Sequence, residues 1–409
     1  MSYFDTKRGP ATEVQLNHPT HLPVYKKVRH YARHPAEGPP LVLLSGGSGA
    51  RELSETLIHY THHSVHVLPT FDDGGSSREL RLKFDMPPPG DLRNRLMALS
   101  DMSMSGNPEV SRLFQTRLAA NGSAEALNAQ LSAYLDEGHP QMAKIEARYR
   151  RIIVNHLARF VQQKPDDFDL RRGSIGNFVI AGAYLSVGDL DSVVFEFSAL
   201  AAVRGQVYSV CRGGERYHLQ AEFDDGEKLV GQSAITGEPH PPISELAIVE
   251  KTPSGWVRVS PSLSPLVEQA LRKTSLVAYS MGSFYTSLVS NLLVTGMGKA
   301  IRLAKRPKVF VANLMRDEET AEMTVSAMLE EIYRYVRLSD PDPGEMSDYV
   351  NYVLVGTHGE SSRGNRVPVD IDQIKELGVE PIVLPIERAD GNQLMHDVQL
   401  VATVLLSLC

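Results

Sequence analysis

Cysteine is scarce in this sequence, and long apolar runs are missing. Cys211 and Cys409 are the only cysteines in 409 residues, so neither a disulfide framework nor a cysteine-based metal site is expected. Such a composition favours a reducing cytoplasm. The N-terminal residues contain no apolar signal-peptide core, and the apolar stretch Leu400–Cys409 is too short to cross a bilayer. We therefore expect a cytoplasmic protein without a membrane segment.

The sequence also lacks an excess of basic residues. It contains 42 Lys and Arg against 49 Asp and Glu, a net charge of −7. Affinity for nucleic acid needs clustered Lys and Arg, so we expect no nucleic-acid partner. Hydrophobic residues at 42% and charged residues at 22% are ordinary proportions and indicate a globular protein. The length suits one large α/β domain or two domains.

An acidic turn follows the alternating apolar run at residues 65–69. The run predicts a short strand, and it leads into Asp72 and Asp73, then into the segment Gly74–Ser77. Glycines let the backbone approach a ligand closely, and hydroxyls can donate to phosphate oxygens. Carboxylates can hold a metal or take a proton. The alternative is a hairpin-like surface turn, and we favour the ligand site.

A glycine-rich turn, Ser45–Ala50, lies upstream, after the continuous apolar run Leu41–Leu44. Such a run is typical of a buried parallel strand, and the helical pattern Glu52–Tyr60 follows the turn. This arrangement can bind phosphate through the unpaired amides at the helix start. The turn matches neither the Walker A loop nor the standard dinucleotide fingerprint, so alone it is a weak signal. Because the ends of adjacent parallel strands border one crevice, we expect the glycine turn and the acidic turn to face each other.

Three further segments begin helices. The turn Pro87–Asp91 precedes a helix that carries Asn94, and Asp91 could cap this helix or complete a metal site. The segment Ser174–Asn177 begins another helix. The segment Met281–Ser283 follows a short apolar strand and forms a second candidate anion site.

Together these segments resemble the CofD-like family, which contains 2-phospho-L-lactate transferases and YvcK-type gluconeogenesis factors. The resemblance rests on the letters SGGSGA, FDDGGSSRELR and PPPGDLRNRLMALSD, in that order. It resumes at Ser174–Asn177 and at Gly282–Ser287, and it covers roughly residues 40–409. The extended N-terminus and the helical insert are most similar to the CofD-related branch associated with the bacterial GAK system.

The patterns and the resemblance imply an α/β fold. We expect a doubly wound, mostly parallel Rossmann-related sheet with helices on both faces and a small antiparallel β insert. Residues 1–40 would be an N-terminal extension and residues 41–409 the CofD-like domain. Within that domain we expect a helical insert at about 120–172 and the β insert at about 206–259, where glycine-containing hairpin signals occur.

The resemblance implies binding of a nucleoside diphosphate conjugate, GDP- or UDP-linked, and transfer of a phosphate-bearing group to an acceptor hydroxyl. It implies Mg²⁺ as the cofactor, with Asp73 and Asp72 in catalysis and Asp73 and Asp91 as metal ligands. A homo-oligomer is left open. The residues expected to bind the nucleotide and substrate are Gly46, Gly47, Ser48, Gly49, Gly74, Gly75, Ser76, Asn94, Ser174, Asn177, Gly282, Ser283 and Thr286.

Two departures from the family pattern favour a second hypothesis. Gly173 stands where the family usually has histidine, and Ser280 and Met281 stand where it usually has Gly-Pro. The chain would then be a non-catalytic metabolic regulator that binds a nucleotide sugar, as the YvcK-type members do. A third hypothesis, an NAD(P)-dependent dehydrogenase, has weak support because the dinucleotide fingerprint and a histidine suited to hydride transfer are missing.

Overall fold

A seven-stranded parallel sheet forms the centre of this computed structural model, which describes residues 12–15, 19–47, 49–214, 216–237, 239–357, 365–390 and 393–409. The spatial order of the strands, numbered along the chain, is β7-β6-β5-β4-β1-β2-β3, and every neighbouring pair is parallel. The predicted fold class is confirmed. The strands are β1 Leu41–Leu44, β2 Ser64–Leu68, β3 Gln206–Ser209, β4 Val277–Tyr279, β5 Lys308–Val311, β6 Tyr352–Val355 and β7 Glu380–Val383.

The central strands are apolar because both faces of the sheet are buried. In β1, Leu41 and Leu43 pack into the same cluster as the C-terminal helix Val398–Leu408. Val42 and Leu44 belong to the core on the opposite face. This two-sided burial is the physical reason for the continuous apolar run in the sequence.

The direction in which strands are added reverses beside β1. The chain places β2 and β3 on one side of β1 and then returns to place β4 on the other side. The turns after β1 and β4 therefore lie side by side, at the position where ligands bind in sheets of this type. The acidic turn after β2 is their neighbour, because β1 and β2 pair along their length. The predicted proximity of the glycine turn and the acidic turn is confirmed.

The described residues contain sixteen α-helices, three short 3₁₀ turns and one π-helix. The π-helix, Phe284–Val289, directly follows the turn after β4. The 3₁₀ turns are Pro35–Glu37, Met142–Lys144 and Met346–Asp348. The α-helices span Tyr25–Arg33, Arg51–Leu57, Gly75–Phe84, Gly90–Ala98, Pro108–Gln115, Ala124–Ala133, Ala147–Gln163, Ile175–Val187, Leu190–Leu200, Gln232–Ile235, Pro265–Lys273, Ser290–Leu292, Met297–Leu303, Val325–Leu338, Ile371–Glu376 and Val398–Leu408.

The helical insert packs on the rest of the domain through an aromatic cluster. Its long helix, Ala147–Gln163, lies against the helix Ile175–Val187. Phe160 of the first helix and Phe178 of the second stack with their ring centroids 4.6 Å apart. The apolar stripe that the sequence shows at helical spacing is therefore buried against the domain.

The β insert is a four-stranded antiparallel sheet, smaller than the sequence suggested. Its spatial order is Lys228–Val230, Tyr217–Phe223, Ile243–Thr252 and Gly255–Arg258. The segment Gln206–Ser209, which we assigned to the insert, is instead the edge strand β3 of the central sheet. A four-residue alternating strand fits either position, because an edge strand is covered incompletely.

Part of the N-terminal extension is ordered against the domain. The strands Thr12–Gln15 and Pro19–Leu22 form a hairpin, and Val24 N–H donates to Ser407 Oγ of the C-terminal helix at 2.8 Å. A second hairpin joins Glu387–Asp390 and Gln393–His396. None of the helices in the described ranges is both long enough and apolar enough to cross a membrane.

Candidate functional site

The glycine turn after β1 contacts the turn after β4 without room for side chains. A Cβ on Gly49 would lie 2.5 Å from Gly282 Cα, and a Cβ on Gly46 would lie 2.1 Å from Ser287 Oγ. Both distances are shorter than van der Waals contact, so any larger residue would push the two turns apart. The glycines therefore close the crevice at the point where the strand order reverses.

Arg95 holds the carbonyl groups of the glycine turn from the inside of the protein. Its side chain is fully buried, and Nη2 donates to Gly46 O at 2.7 Å while Nη1 donates to Ala50 O at 2.9 Å. Burial lowers the pKa of Arg95 to about 10, which still leaves it protonated at neutral pH. In a trans peptide the C=O and the following N–H point in opposite directions. The N–H of Gly47 is therefore directed away from Arg95.

The backbone amides of Gly46 and Gly47 have no hydrogen-bond partner in the part of the chain that the structure describes. Both residues are buried, yet neither N–H donates to any of the residues that the structure describes. Buried amides are nearly always paired, so two free ones at a strand-turn-helix junction indicate an anion site. Ser48, which we predicted as a further contact in this turn, lies outside the described residues.

Asp91 and Asp72 form the acidic side of the site. A Cβ on Gly47 would lie 1.9 Å from Asp91 Oδ1, so this carboxylate lies directly against the glycine turn. A Cβ on Gly90 would lie 2.5 Å from Asp72 Oδ2, which places the second carboxylate at the start of the same helix. Burial and then the charge of Asp72 raise the pKa of Asp91 to about 7. Burial also raises the pKa of Asp72.

This pair of carboxylates fits a magnesium ion that is also bound by phosphate. Asp91 Oδ2 is buried, and no described residue donates a hydrogen bond to it. A buried oxygen of this kind is unfavourable without a donor or a cation. Mg²⁺ commonly binds to one or two carboxylates together with substrate phosphates. Within the described ranges, no three or more His, Cys, Asp and Glu side chains are grouped as a metal site by themselves.

Asp73 points away from the pair, toward the β insert. Its Oδ1 accepts hydrogen bonds from Ser233 N–H at 2.7 Å and from Ser233 Oγ at 2.6 Å. A Cβ on Gly231 would lie 2.4 Å from Asp73 Oδ2. The structure thus brings Asp91 together with Asp72, whereas the sequence suggested Asp73 as the second metal ligand.

The helix that follows the acidic turn is tied to the helix that carries Asp91. Gly74 N–H donates to Asp72 Oδ1 at 3.0 Å, and Gly75 begins the helix with a φ of 48°, a conformation that favours glycine. Ser77 Oγ accepts from Gly90 N–H at 3.1 Å. These bonds fix the relative positions of the two carboxylates.

Asn177 connects the helix Gly75–Phe84, which follows the acidic turn, with the helix Gly90–Ala98, which carries Asp91. Its Oδ1 accepts from Arg93 Nε at 2.8 Å, and its Nδ2 donates to Ser76 Oγ at 3.0 Å. Ser174 is also buried and donates to Phe114 O at 3.1 Å. Because both ends of the Asn177 amide are occupied, direct contact with a ligand stays a prediction and requires exchange of one of these bonds.

The helix start after β4 is occupied by an internal carboxylate. Glu319 Oε2 accepts from the amides of Tyr285 at 2.7 Å and Thr286 at 3.0 Å, and Glu319 Oε1 accepts from the Thr286 hydroxyl. Burial raises the pKa of Glu319 to about 7. A protein carboxylate thus occupies these two amides and the Thr286 hydroxyl. Contact of Thr286 with an external anion stays a prediction and requires exchange of one of these bonds.

Three further predicted residues are half-buried, namely Gly282, Ser283 and Asn94. The Gly282 carbonyl accepts from Asn313 Nδ2 at 2.8 Å, so this glycine is also joined to the end of β5. Asn94 lies on the helix Gly90–Ala98.

Arg95 could have been identified from the sequence, whereas Glu319 and Ser233 could not. Leu92, Leu96 and Leu99 mark the buried face of the helix, and Arg95 falls on that face at helical spacing. A buried arginine needs several acceptors, which the glycine turn supplies. Glu319 and Ser233 reach the site only through tertiary contacts, without a local pattern.

Comparison with known proteins finds a matching family and relatives that cover most of this chain. A family model described as 2-phospho-L-lactate transferase CofD matches residues 41–386. A gluconeogenesis factor of Bacillus subtilis is 26% identical over 383 residues, 90% of this chain and 98% of the relative. A gluconeogenesis factor of Halalkalibacterium halodurans is 28% identical over 374 residues, 90% of this chain and 95% of the relative. A crystal structure of a UPF0052 family member from Bacillus halodurans matches with a TM-score of 0.67 at 26% identity, covering 90% of this chain and 99% of that one.

Proposed function

This chain belongs to the CofD family, and on that basis we propose that it binds a nucleoside diphosphate conjugate and transfers a phosphate-bearing group from it. The family match confirms the resemblance seen in the sequence. The observation that carries the proposal is the position of the Asp91 carboxylate against Gly47, in a turn where the amides of Gly46 and Gly47 have no hydrogen-bond partner among the described residues. The amides need an anion and the carboxylate needs a cation. A diphosphate with Mg²⁺ supplies both.

The three aspartates take different roles in this proposal. Asp72 and Asp91 would hold Mg²⁺, which when bound neutralises charge on the diphosphate. Asp73 lies on the other side of the turn, fixed by Ser233. In the proposed reaction Asp73 would orient an acceptor hydroxyl and take its proton. Arg95 acts as a positioning residue because it contacts only the glycine turn and its surroundings.

The proposed reaction is a displacement at phosphorus. The acceptor oxygen attacks the distal phosphorus of the diphosphate and loses its proton to the Asp73 carboxylate. The bond between this phosphorus and the bridging oxygen breaks, so that a nucleoside monophosphate leaves with the electron pair. Catalysis of this kind depends mainly on positioning and charge stabilisation, which the glycine turn and the carboxylates can provide.

A second candidate is a non-catalytic regulator that binds a nucleotide sugar. Two observations favour it. The relatives named gluconeogenesis factor match 90% of this chain. At Gly173, where the CofD-like family usually has histidine, a Cβ would lie 2.2 Å from Phe178 Cζ. The phenylalanine ring thus fills the position at which that side chain would begin.

Two measurements on the full chain test the proposal. The first is calorimetric titration with GDP, UDP and UDP-sugars, with and without Mg²⁺, supported by thermal shifts. A ligand at 100 times its Kd should add about 2.7 kcal/mol to the unfolding free energy. The second is chromatographic detection of nucleoside monophosphate after incubation with the bound conjugate and small hydroxyl acceptors. Release supports the transferase, saturable binding without release supports the regulator, and absence of Mg²⁺-dependent binding overturns both.

A further inference from the structure

Three arginines gather around the end of the helix Pro108–Gln115. Arg51 Nη2 donates to Gln115 Oε1 at 2.8 Å, and Arg93 Nη1 donates to Phe114 O at 3.2 Å. Arg117 lies two residues beyond Gln115 in the same segment. The guanidinium groups of Arg51 and Arg93 thus reach adjacent residues of this segment, and the guanidinium of Arg117 donates to Arg172 O at 3.0 Å. The charges of Arg51 and Arg117 both act on Arg93.

In the described part of the chain, the arginine cluster contains one ion pair, and the carboxylates of Asp72 and Asp91 act on Arg93 from the acidic side of the site. Arg51 pairs with Glu55 at 2.8 Å, an exposed contact that is worth little. Arg93 and Arg117 form no ion pair with any residue in the described ranges. Burial and then the charges of Arg117 and Arg51 lower the pKa of Arg93 to about 10. The like charges oppose one another, and a bound anion would relieve that repulsion.

Each arginine also keeps a donor without an acceptor among the described residues. Arg93 uses Nε for Asn177 and Nη1 for Phe114 O, which leaves Nη2. Arg51 uses Nε and Nη2, which leaves Nη1. Arg117 uses Nη1 for a backbone carbonyl, and its side chain is exposed. Guanidinium groups with free donors are well suited to bind phosphate oxygens.

The arginine cluster lies beside the proposed nucleotide site. Arg51 directly follows Ala50, the last residue of the glycine turn. Arg93 is on the same helix as Asp91 and is joined through Asn177 to Ser76. A molecule whose diphosphate is held by the glycine turn could therefore place a further anionic group at the cluster.

We propose that Arg51, Arg93 and Arg117 form a second anion site, which binds a phosphate group carried by the ligand in addition to its nucleotide diphosphate. The identity of the whole ligand rests on the proposed function, whereas the anion site rests on the arginine cluster alone. The site selects conjugates whose transferred part is negatively charged over conjugates of a neutral sugar.

The test is a titration of the full chain with inorganic phosphate in Mg²⁺-free buffer, followed by calorimetry. The test variants are Arg51→Gln and Arg117→Gln, singly and combined. The control is Arg112→Gln, because Arg112 is exposed on the helix Pro108–Gln115 and, among the described residues, forms an ion pair with Glu109 alone. We expect the double variant to bind phosphate at least about tenfold more weakly, since each lost contact is a charge-assisted hydrogen bond. The control should bind like the wild type.

Melting temperatures identify any variant that fails to fold, and Arg51→Gln remains informative if Arg117→Gln misfolds. The inference is overturned if the wild-type chain shows no saturable phosphate binding, if the test variants bind like the wild type, or if Arg112→Gln loses as much affinity as they do. Parallel titrations with GDP and UDP keep the two proposals apart. Loss of phosphate binding in the variants supports the arginine site whether or not the wild type binds a nucleotide.

Discussion

Asp91 lies against Gly47 so closely that a Cβ on the glycine would be 1.9 Å from Asp91 Oδ1. The other carboxylate oxygen of Asp91 is buried and receives no hydrogen bond from the described residues. An acidic group is therefore held beside backbone amides that are suited to an anion. The Asp91 carboxylate and an anion bound at these amides would repel each other unless a cation lies between them.

We predict that Gly47→Val removes nucleotide binding without unfolding the protein. The branched side chain would displace the Asp91 carboxylate and block the approach of a phosphate to the turn. We expect at least about a tenfold loss of affinity, the loss that corresponds to one strong contact. Calorimetric titration with GDP and UDP measures the loss, and circular dichroism checks the fold.

Gly122→Ala is the matched control for the Gly47 variant. A Cβ there meets its nearest neighbour, Leu127 Cγ, at an ordinary 3.5 Å, so neither folding nor binding should change. A folded Gly47→Val protein with undiminished affinity would mean that the glycine turn is only a structural corner.

We predict that Asp91→Asn removes the Mg²⁺ dependence of nucleotide binding. Loss of one carboxylate ligand weakens a site for a hard cation. The folded chain should remain at least as stable, because the substitution also removes repulsion between Asp91 and Asp72. Titration of the nucleotide at several Mg²⁺ concentrations gives the dependence directly.

Two other aspartates serve as comparisons for Asp91. Asp73→Asn should reduce Mg²⁺ dependence less, because Asp73 is bonded to Ser233 on the other side of the turn. Asp224→Asn should behave like the wild type, because Asp224 lies in an exposed hairpin of the β insert. Equal effects of Asp91→Asn and Asp224→Asn would contradict the placement of the metal.

Local patterns in the sequence were sufficient to predict the sheet and the close approach of the turns at the ends of its strands. The run Leu41–Leu44 predicted a buried strand, and the glycines after it predicted a close turn, because these signals depend on neighbouring residues. The direction of each aspartate was beyond such reasoning. Asp72 and Asp73 are adjacent in sequence, yet Ser233, which fixes Asp73, is 160 residues away.

We predict that Asn177→Ala lowers the stability of the free protein. The substitution removes acceptor and donor at once, which leaves Arg93 Nε and Ser76 Oγ unpaired in a buried place. The expected loss is about 2–3 kcal/mol of unfolding free energy, because one of the lost bonds involves a charged group. Urea denaturation measures this loss.

The control for Asn177 is Asn128→Ala. Among the described residues the Asn128 side chain bonds to Ala124 O of its own helix and to nothing else, so its removal should change the unfolding free energy little. If Asn177→Ala kept wild-type stability and lost nucleotide affinity, then the residue would be a direct ligand contact, as the sequence had suggested.

The helix start after β4 illustrates what a motif cannot reveal. Met281–Ser283 has the strand-turn-helix pattern of a phosphate site, and the helix does begin there. The amides of Tyr285 and Thr286 are nevertheless bonded to Glu319, which is more than thirty residues further along the chain. A helix start offers the same amides to a ligand or to a carboxylate of the protein, and only the tertiary structure distinguishes the two.

Glu319 gives a prediction for the pH dependence of stability. Burial raises its pKa from 4.5 to about 7, and Asp317 is the neighbouring charge that acts in the same direction. Between these two pH values the folded protein binds a proton that the unfolded chain does not. The stability contributed by this proton is therefore complete below pH 4.5 and is lost as the pH rises to about 7. Its size is about 3 kcal/mol.

Glu319→Gln should remove this dependence while it keeps acceptor bonds to Tyr285 and Thr286. We expect the variant to gain about 2–3 kcal/mol relative to the wild type when urea denaturation at pH 8 is compared with that at pH 5. Other groups that titrate in this window, including His66 and Asp91, are present in both proteins and cancel in the difference.

Glu318→Gln is the control, because Glu318 is exposed. If the stability curves of Glu319→Gln and the wild type run parallel over the whole pH range, then the buried carboxylate does not hold a proton near neutral pH. The amides it occupies would then be paired with a charged group.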